Sequence, residues 1–256
     1  FEGTYSTPFV QMASIEPHIS LTWLDENNRL VIRTSTQVPF HVRRIVAEVM
    51  GIPVSKIRVI KPRLGGGFGG KQEILNEELV AAVTLKTGRP ARIEYTRAEE
   101  LFAARLRHPE LVSFRLGFDE NQMLTAIDLN ILENCGAYGP HALTVMSVTA
   151  QKALSMYKAP SIRVNGDGVY TNLPIGGAYR GYGAPQAFFP LESLMDEAAE
   201  TMGIDPIELR LKNVFKVGDD IPIAKILGEG REGFPMVLYS TEIEACLEEG
   251  RILSDW

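Results

Sequence analysis

The stretch "KPRLGGGFGGKQE", residues 61–73, places five glycines and one phenylalanine in the six positions from Gly65 to Gly70. Glycine permits positive φ and close approach of a ligand or a second backbone, yet it costs chain entropy on folding, so a run this dense needs a task. Three readings fit the letters. Gly65, Gly67 and Gly70 match G-x-G-x-x-G, with Glu94 placed where a ribose-binding acid would stand. Gly65, Gly70 and Lys71 match G-x-x-x-x-G-K, but Gln72 follows where a P-loop needs Ser or Thr to ligate magnesium. The third reading is a strand-to-helix corner that holds no ligand.

The flanks sort these readings. Ile57 and Val59 mark a strand that feeds the run, and Leu75, Leu79, Ala82 and Val83 form the apolar stripe of a following helix ended by "TGRP". Further upstream, Ile19, Leu21 and Trp23, then Leu30 and Ile32, alternate around "DENN" as an antiparallel hairpin. Val42, Ile45, Val46 and Val49 share a helical face closed by Gly51 and Pro53. A dinucleotide fold normally starts at its glycine strand, so a hairpin and a helix ahead of the run weigh against it. Downstream, residues 112–118 and 127–131 flank "DENQ" as a second hairpin, and residues 135–190 read as loops and short strands rich in Gly, Pro, Asn and Tyr. Leu191, Leu194, Met195, Ala198 and Met202 form a helix stopped by Gly203, Asp205 and Pro206 open another, and Ile243, Cys246 and Leu247 mark a last one. The order predicts an α+β fold of mixed sheets with hairpins and packed helices. The letters allow one βαβ unit near 57–95, and one compact domain, or two poorly separated ones, over residues 1–256.

A net charge of −6 without any block of basic residues argues against a nucleic-acid partner. The two cysteines, Cys135 and Cys246, are too few and too far apart for a disulfide framework or a CxxC metal knuckle, which fits a cytoplasmic protein. Nor can they hold an iron–sulfur cluster, so any such cluster must sit on another polypeptide. No apolar stretch is long enough to span a membrane. The chain starts without methionine and reads as a processed product or a piece of something longer.

A second stretch, "GGAYRGYGAPQ" at 176–186, again sets aromatic residues (Tyr179, Tyr182) and one arginine (Arg180) among glycines just before a helix. Alone it reads as a turn. Two such loops, each followed by a helix, point to convergence on one large polar ligand.

"GGGFGGK" and "AYRGYGAPQ", with "STQ" at 35–37 and "IEPH" at 15–18, resemble the molybdenum-binding subunit of the xanthine dehydrogenase and aldehyde oxidoreductase family, above all its bacterial xanthine dehydrogenase-type members. The resemblance runs along nearly the whole chain. It implies the first molybdopterin-binding half of a molybdenum hydroxylase large subunit, lacking an N-terminal portion and the second half. It also implies a molybdenum–molybdopterin cofactor, in the cytosine dinucleotide form, cradled by Gly66, Gly67, Phe68, Gly69 and Gly70. Phe68, through its amide, and Gln37 would donate to oxygen at the metal, with Arg180 beside it, and no side chain of this chain would ligate the metal. Gln37 and Arg180 are thus the catalytic candidates. Gln72 and Tyr182 are the substrate candidates, the Tyr182 ring packing on a planar substrate while its hydroxyl is dispensable. The glycines accord with this chemistry, because β-carbons would keep backbone N–H groups from an oxo ligand.

The implied reaction is hydroxylation of a purine or other N-heterocycle with water as the oxygen source. Electrons would leave through iron–sulfur clusters to FAD on partner subunits of a hetero-oligomer. An aldehyde oxidoreductase of the same family is the alternative, and a catalytically silent scaffold is a further one. Departures from the pattern matter too. The family's glutamate base lies in a Gly-Glu-Pro stretch, which does not occur here. Gln72 stands where xanthine-oxidising members place a glutamate, with Glu73 one position later, and a substrate-contacting arginine corresponds loosely to Lys152. Both changes argue against xanthine itself, since an amide cannot take a proton or offset charge as a carboxylate can. The four histidines, His18, His41, His108 and His141, share no metal-ligand spacing and read as structural or surface groups. "EELFAARLRHPE" at 99–110 reads as a solvated loop, and Glu77 and Glu78 are expected to face water.

Overall fold

In the computed structural model, residues 1–227 and 233–256 are described. Strand β1 (Glu2–Ser6) belongs to one sheet, and the chain then builds another before returning to it. Strands β2 (Ile19–Leu24) and β3 (Leu30–Thr34) form the expected hairpin, in register from Ser20 opposite Thr34 to Leu24 opposite Leu30. Helix α1 (Pro39–Met50) carries the chain to β4 (Ile57–Ile60), which pairs parallel with β3. Helix α2 (Glu77–Thr87) leads to β5 (Ala91–Glu94), antiparallel to β2, so the sheet order is β4-β3-β2-β5. The βαβ unit allowed at 57–95 therefore exists with its strands on opposite edges, and the adjacent parallel pair is β3 and β4.

Strand β2 faces the reverse of its lettering, whereas Leu30 and Ile32 of β3 are buried as expected. Ser20 and Thr22 are fully buried, whereas Ile19, Leu21 and Trp23 are half-buried. Ser20 Oγ donates to Asn76 Oδ1 at 2.6 Å and Thr22 Oγ1 to the Val80 carbonyl at 2.9 Å, so α2 meets the sheet through hydroxyls. Buried hydroxyls are tolerated when each finds such a partner. As a result α2 turns Val80, Ala81 and Thr84 inward and leaves Leu79 and Val83 exposed, opposite to the expected stripe. Glu77, expected in water, is buried as well. Its carboxylate accepts from Thr34 Oγ1 (2.8 Å) and from the backbone amides of Leu75 (3.1 Å) and Asn76 (3.2 Å). Glu78 is half-buried, and burial pushes its carboxyl above the ordinary value.

Helix α3 (Arg97–Ala103) and the two-residue strand β6 (Leu106–Arg107) lead into the second sheet. The second expected hairpin is longer than its alternating letters suggest, with β7 (Glu110–Phe118) pairing antiparallel with β8 (Leu124–Gly136). Residues 135–190 are more ordered than expected. They hold helix α4 (Ala142–Leu154), strand β9 (Ser161–Tyr170), parallel to β8, and strand β10 (Gly176–Gly177). The glycines and asparagine of β9 hide it from a propensity reading, and the ladder to β8 supplies what propensity lacks. The sheet order is β1-β7-β8-β9. Helix α4 and the long helix α5 (Ala184–Met202) pack against it around Phe114, Ile127, Leu129, Leu154, Leu191 and Met195. Helices α6 (Pro206–Asn213), capped by Asp205 Oδ1 on the Ile207 and Glu208 amides, and α7 (Ile243–Ser254) complete the chain.

The two sheets meet where β6 pairs parallel with β10. From Ala104 onward the segment 99–110 is a seam and not a solvated loop, with His108 and Glu110 buried, whereas Leu101 and Phe102 on α3 are exposed. Glycine is required at this seam, since a Cβ on Gly176 would fall 2.2 Å from His108 Nδ1.

Candidate functional site

The glycine run leaves β4 and changes backbone sign repeatedly, with positive φ at Gly66 (106°), Phe68 (51°) and Gly69 (97°). Phe68 is the one residue of the three for which the left-handed region is strained, and strain of this kind persists only where surroundings hold it. Three side chains do so. Gln37 Oε1 accepts from the backbone amides of Gly69 (3.0 Å) and Lys71 (3.2 Å), while the backbone N–H of Gln37 donates to the Lys71 carbonyl (2.8 Å). Lys71, fully buried, donates through Nζ to the Glu16 carbonyl (2.9 Å) and to Glu16 Oε1 (2.7 Å). His18, clasped by Glu100 at 2.8 Å, stands with Nε2 3.2 Å from the Gly70 carbonyl. The "STQ" and "IEPH" segments are therefore the frame of the loop.

This geometry removes both phosphate readings. Lys71 is committed to Glu16, so it cannot serve as a phosphate lysine, and α2 begins seven residues after Gly70, away from the run. Glu94 lies on the exposed strand β5, paired with Arg92.

The second loop docks on the first. The Arg180 amide donates to the Phe68 carbonyl at 2.9 Å, and a Cβ on Gly69 would meet the Ala178 carbonyl at 2.6 Å. Only glycine lets the two backbones come so close. Arg107, from β6, ties the corner together. It donates to the Arg180 carbonyl (2.7 Å) and to Gln186 Oε1 (3.2 Å), and its guanidinium lies 4.2 Å from the centre of the Tyr179 ring.

Between the loops opens a cleft of about 660 Å³, lined by Phe68, Gly69 and Gln72 from the first loop, Tyr179, Arg180, Gly181 and Tyr182 from the second, and His141 and Thr144 from the start of α4. The predicted substrate residues Gln72 and Tyr182 share this wall with Phe68, Gly69 and Arg180. Gln37, Gly66, Gly67 and Gly70 stand outside the wall, in the frame of the loop, and Lys152 sits exposed in the last turn of α4. Two expectations change. The Tyr182 hydroxyl is engaged, 2.8 Å from His141 Nδ1 and 2.7 Å from Thr144 Oγ1, so it is not a bystander. His141, expected to be a structural or surface group, stands on the cleft wall with its ring edge-on to Tyr182 at 5.8 Å. The weak sequence signal for it is "GPH", a turn that opens the helical run of α4.

Glu73 lies behind this wall, joined to Arg105, with Oε1 buried and lacking a hydrogen-bond partner among the described residues. Deeper in the seam, Glu110 and Glu133 oppose each other across β7 and β8. Burial raises both, Glu110 to about 7 and Glu133 to about 9, the latter also because Glu110 faces it. Burial likewise pushes Cys135 up to about 11, so its thiol is no ready nucleophile.

The geometry has counterparts in known proteins. The xanthine dehydrogenase molybdenum-binding subunit of Escherichia coli O157:H7 is 38% identical over all 256 residues, which cover 33% of that subunit. The nicotinate dehydrogenase large molybdopterin subunit of Eubacterium barkeri is 33% identical over 226 residues, 88% of this chain and 53% of that one. Among solved structures, the aldehyde oxidoreductase of Desulfovibrio gigas superposes with a TM-score of 0.89 at 27% identity, over 100% of this chain and 27% of the other. The chain thus spans about a third of the length of the xanthine dehydrogenase subunit it matches. Residues 1–214 match the profile of the molybdopterin cofactor-binding domain, and with the two glycine loops packed as described, the chain belongs to that family.

Proposed function

We propose that this chain supplies the molybdopterin cradle and the substrate wall of a molybdenum hydroxylase acting on a planar N-heterocycle of the purine or pyridine kind. The observation that carries this is the cleft between the two docked loops, with Phe68, Gly69 and Gln72 on one side and Tyr179, Arg180 and Tyr182 on the other. Molybdopterin suits the residues present. Because two loop amides occupy Gln37 Oε1, its Nε2–H group is the end left to donate away from the loop. The Phe68 amide has no acceptor among the described residues. At Gly67 a Cβ would fall 2.6 Å from Gln37 Oε1, so glycine keeps this arrangement open. Gln37, Phe68 and Arg180 would hold the group, and when bound it supplies two-electron oxidation with oxygen taken from water.

The chain's own side chains do the rest. Tyr182 and Tyr179 offer aromatic faces to a flat ring, and aromatic packing adds about 0.5 to 1.5 kcal/mol beyond burial. Gln72 both donates and accepts, as the edge of a heterocycle requires. Xanthine and nicotinate, for which two relatives are named, are both N-heterocycles. No carboxylate of the described residues lines the cleft, and the reading places the proton acceptor outside them. The same reading gives the cofactor a cytosine dinucleotide form and the chain iron–sulfur and FAD partners in a cytoplasmic hetero-oligomer. A second reading, an aldehyde oxidoreductase, is favoured by the likeness to the Desulfovibrio gigas structure.

The test is to purify the assembled enzyme, measure molybdenum and the nucleotide it releases, and compare kcat/KM for purine, pyridine-3-carboxylate and a short aliphatic aldehyde. Molybdenum with cytidine nucleotide and a preference for the heterocycles supports the first reading. Preference for the aldehyde moves the assignment to the second. An adenine dinucleotide bound to this chain, without molybdenum, would overturn both.

A further inference from the structure

Eight basic residues fall between Arg29 and Arg63 against one acid, Glu48, so this stretch carries +7 and, with the whole chain at −6, the remainder carries −13. No run of basic letters marks it, because the charges are spread over a turn, a helix and a strand. The fold brings four of them onto one groove of about 480 Å³: Arg29 at the end of the β2–β3 turn, Arg43 on α1, and Arg58 and Lys61 on and just beyond β4. Arg29 is joined to Asp25, whereas Arg43, Arg58 and Lys61 have neither an ion pair nor a hydrogen bond among the described residues. Elsewhere such cations are answered, Arg163 by Asp128, Arg210 by Glu192 and Arg251 by Glu208. The imbalance belongs to this face.

The backbone beside the groove is open as well. Strand β4 is the outer strand in the order β4-β3-β2-β5, and in its parallel pair with β3 only alternate peptide groups bond inward. The others face outward, where the described residues place no further strand. Lysine or arginine on an edge strand often serves only to keep other strands away. That role needs charge on the strand itself, and it explains neither Arg43 on the helix nor the apolar side chains between the cations. Of these, Ile57 and Val59 reach in from the core, and Phe40 is 78% exposed. A long polyanion such as nucleic acid would run from this face onto a surface of net −13, which repels it, so a short acidic segment fits the groove better. Charge of this kind speeds association between separately folded chains, whereas permanently buried interfaces are mainly apolar.

We propose that this groove docks an acidic, extended segment of a second polypeptide in the assembled enzyme, which adds to the free edge of β4 as a strand. Its apolar side chains rest on Phe40, Ile57 and Val59, and its carboxylates answer Arg43, Arg58 and Lys61. Such docking does not depend on which substrate the cleft oxidises.

Lys61 provides the reporter. Carbodiimide joins a lysine amine directly to a carboxylate in contact with it, so the experiment treats the enzyme purified with its partner subunits and locates the coupled residues by mass spectrometry. The expected product links Lys61 to Asp or Glu of another polypeptide, in a stretch that alternates acidic and apolar residues. Reversing two charges in R43E/R58E should lower its yield by about tenfold or more, and added salt should lower it in the wild type. R43Q/R58Q, which removes the charges without adding new ones, should give a smaller loss in the same direction, and carries the test if thermal midpoints show that R43E/R58E has lost its fold. Lys61 coupled only within its own polypeptide, coupled to nothing, or coupled equally well in both double variants would overturn the inference. Binding of a DNA oligonucleotide that R43E/R58E abolishes, without any coupling, would overturn it in favour of a polyanion. Loss of bound cytidine nucleotide in that variant, again without coupling, would assign the groove to the phosphates of the cofactor instead.

Discussion

At Gln37 the two ends of one amide have separate tasks, and substitutions can separate them. Oε1 holds the loop through Gly69 and Lys71, and the Nε2–H group takes no part in those bonds. Gln37→Glu keeps the acceptor and deletes the donor, whereas Gln37→Ala deletes both. If the donor acts at the molybdenum centre, Q37E should hold its thermal midpoint and metal content yet lose about 10² to 10³ in kcat, the cost of one preorganised donor. Q37A should lose stability as well. Wild-type turnover by Q37E at full metal loading would make the residue a loop strut only. Lys71 offers a stability counterpart: its ammonium is fully buried against Glu16, so Lys71→Met strands that carboxylate. Removing one partner of a buried pair costs about 3 to 5 kcal/mol, and the partial exposure of Glu16 puts the expectation at the low end. A denaturant midpoint equal to wild type would show that the bridge contributes nothing. At this scale the glycines, Phe68, Gln72 and Arg180 were legible because their density and order are visible in the letters. His141, Thr144 and Arg107 were not, because they come from distant elements and share no spacing with either loop.

Among the elements, the hairpins and most helices followed from periodicity, and so did the buried faces of β3, β7, β8 and α5, but the facing of β2 and α2 did not. Ser20 and Thr22 point inward because Asn76 and the Val80 carbonyl satisfy them, a fact that no alternation pattern encodes. Once hydroxyls fill that side, Leu79 and Val83 are left outside. Helix α4 and strand β9 were missed because β-branched residues and glycines blur each pattern, while packing on β8 decides both. Loop docking between elements is the feature with the sharpest test. Gly69 needs a positive φ of 97° and also has the Ala178 carbonyl in the place of a Cβ, whereas Gly203 (φ 67°) has the backbone need with open space around it. Gly203→Ala should cost about 1 to 2 kcal/mol, the penalty of the left-handed backbone alone. Gly69→Ala should cost clearly more, because the two loops must separate and the Arg180 to Phe68 bond must stretch. Equal shifts in denaturant midpoint for the two variants would mean that the loops are not in contact.

Across the whole molecule, the cleft lies where two separately cored sheets meet, and the seam is held by buried polar groups instead of apolar packing. This gives its stability a pH dependence. Glu110 and Glu133 face each other across β7 and β8, and in each the Oε2 atom has no donor among the described residues. A proton held between them supplies what two acceptors lack, consistent with the rise of Glu110 to about 7 and of Glu133 to about 9, both driven first by burial. In the unfolded chain both return to the ordinary value of 4.5, so the folded state binds more protons than the unfolded one between that value and about 9. The sign follows from linkage: the contribution is fully present below 4.5, declines as pH rises through about 7, and is gone above about 9. Glu133→Gln replaces the shared proton with a permanent amide donor to Glu110, which keeps its bond from Thr149 at 2.9 Å. The thermal midpoint of wild type should therefore fall across this range while that of E133Q falls less, and the two curves should cross or converge toward the acid side. Parallel curves from acid to alkaline pH would show that the pair does not titrate in the folded state, and would assign the seam's stability to His18, Lys71 and the loop frame.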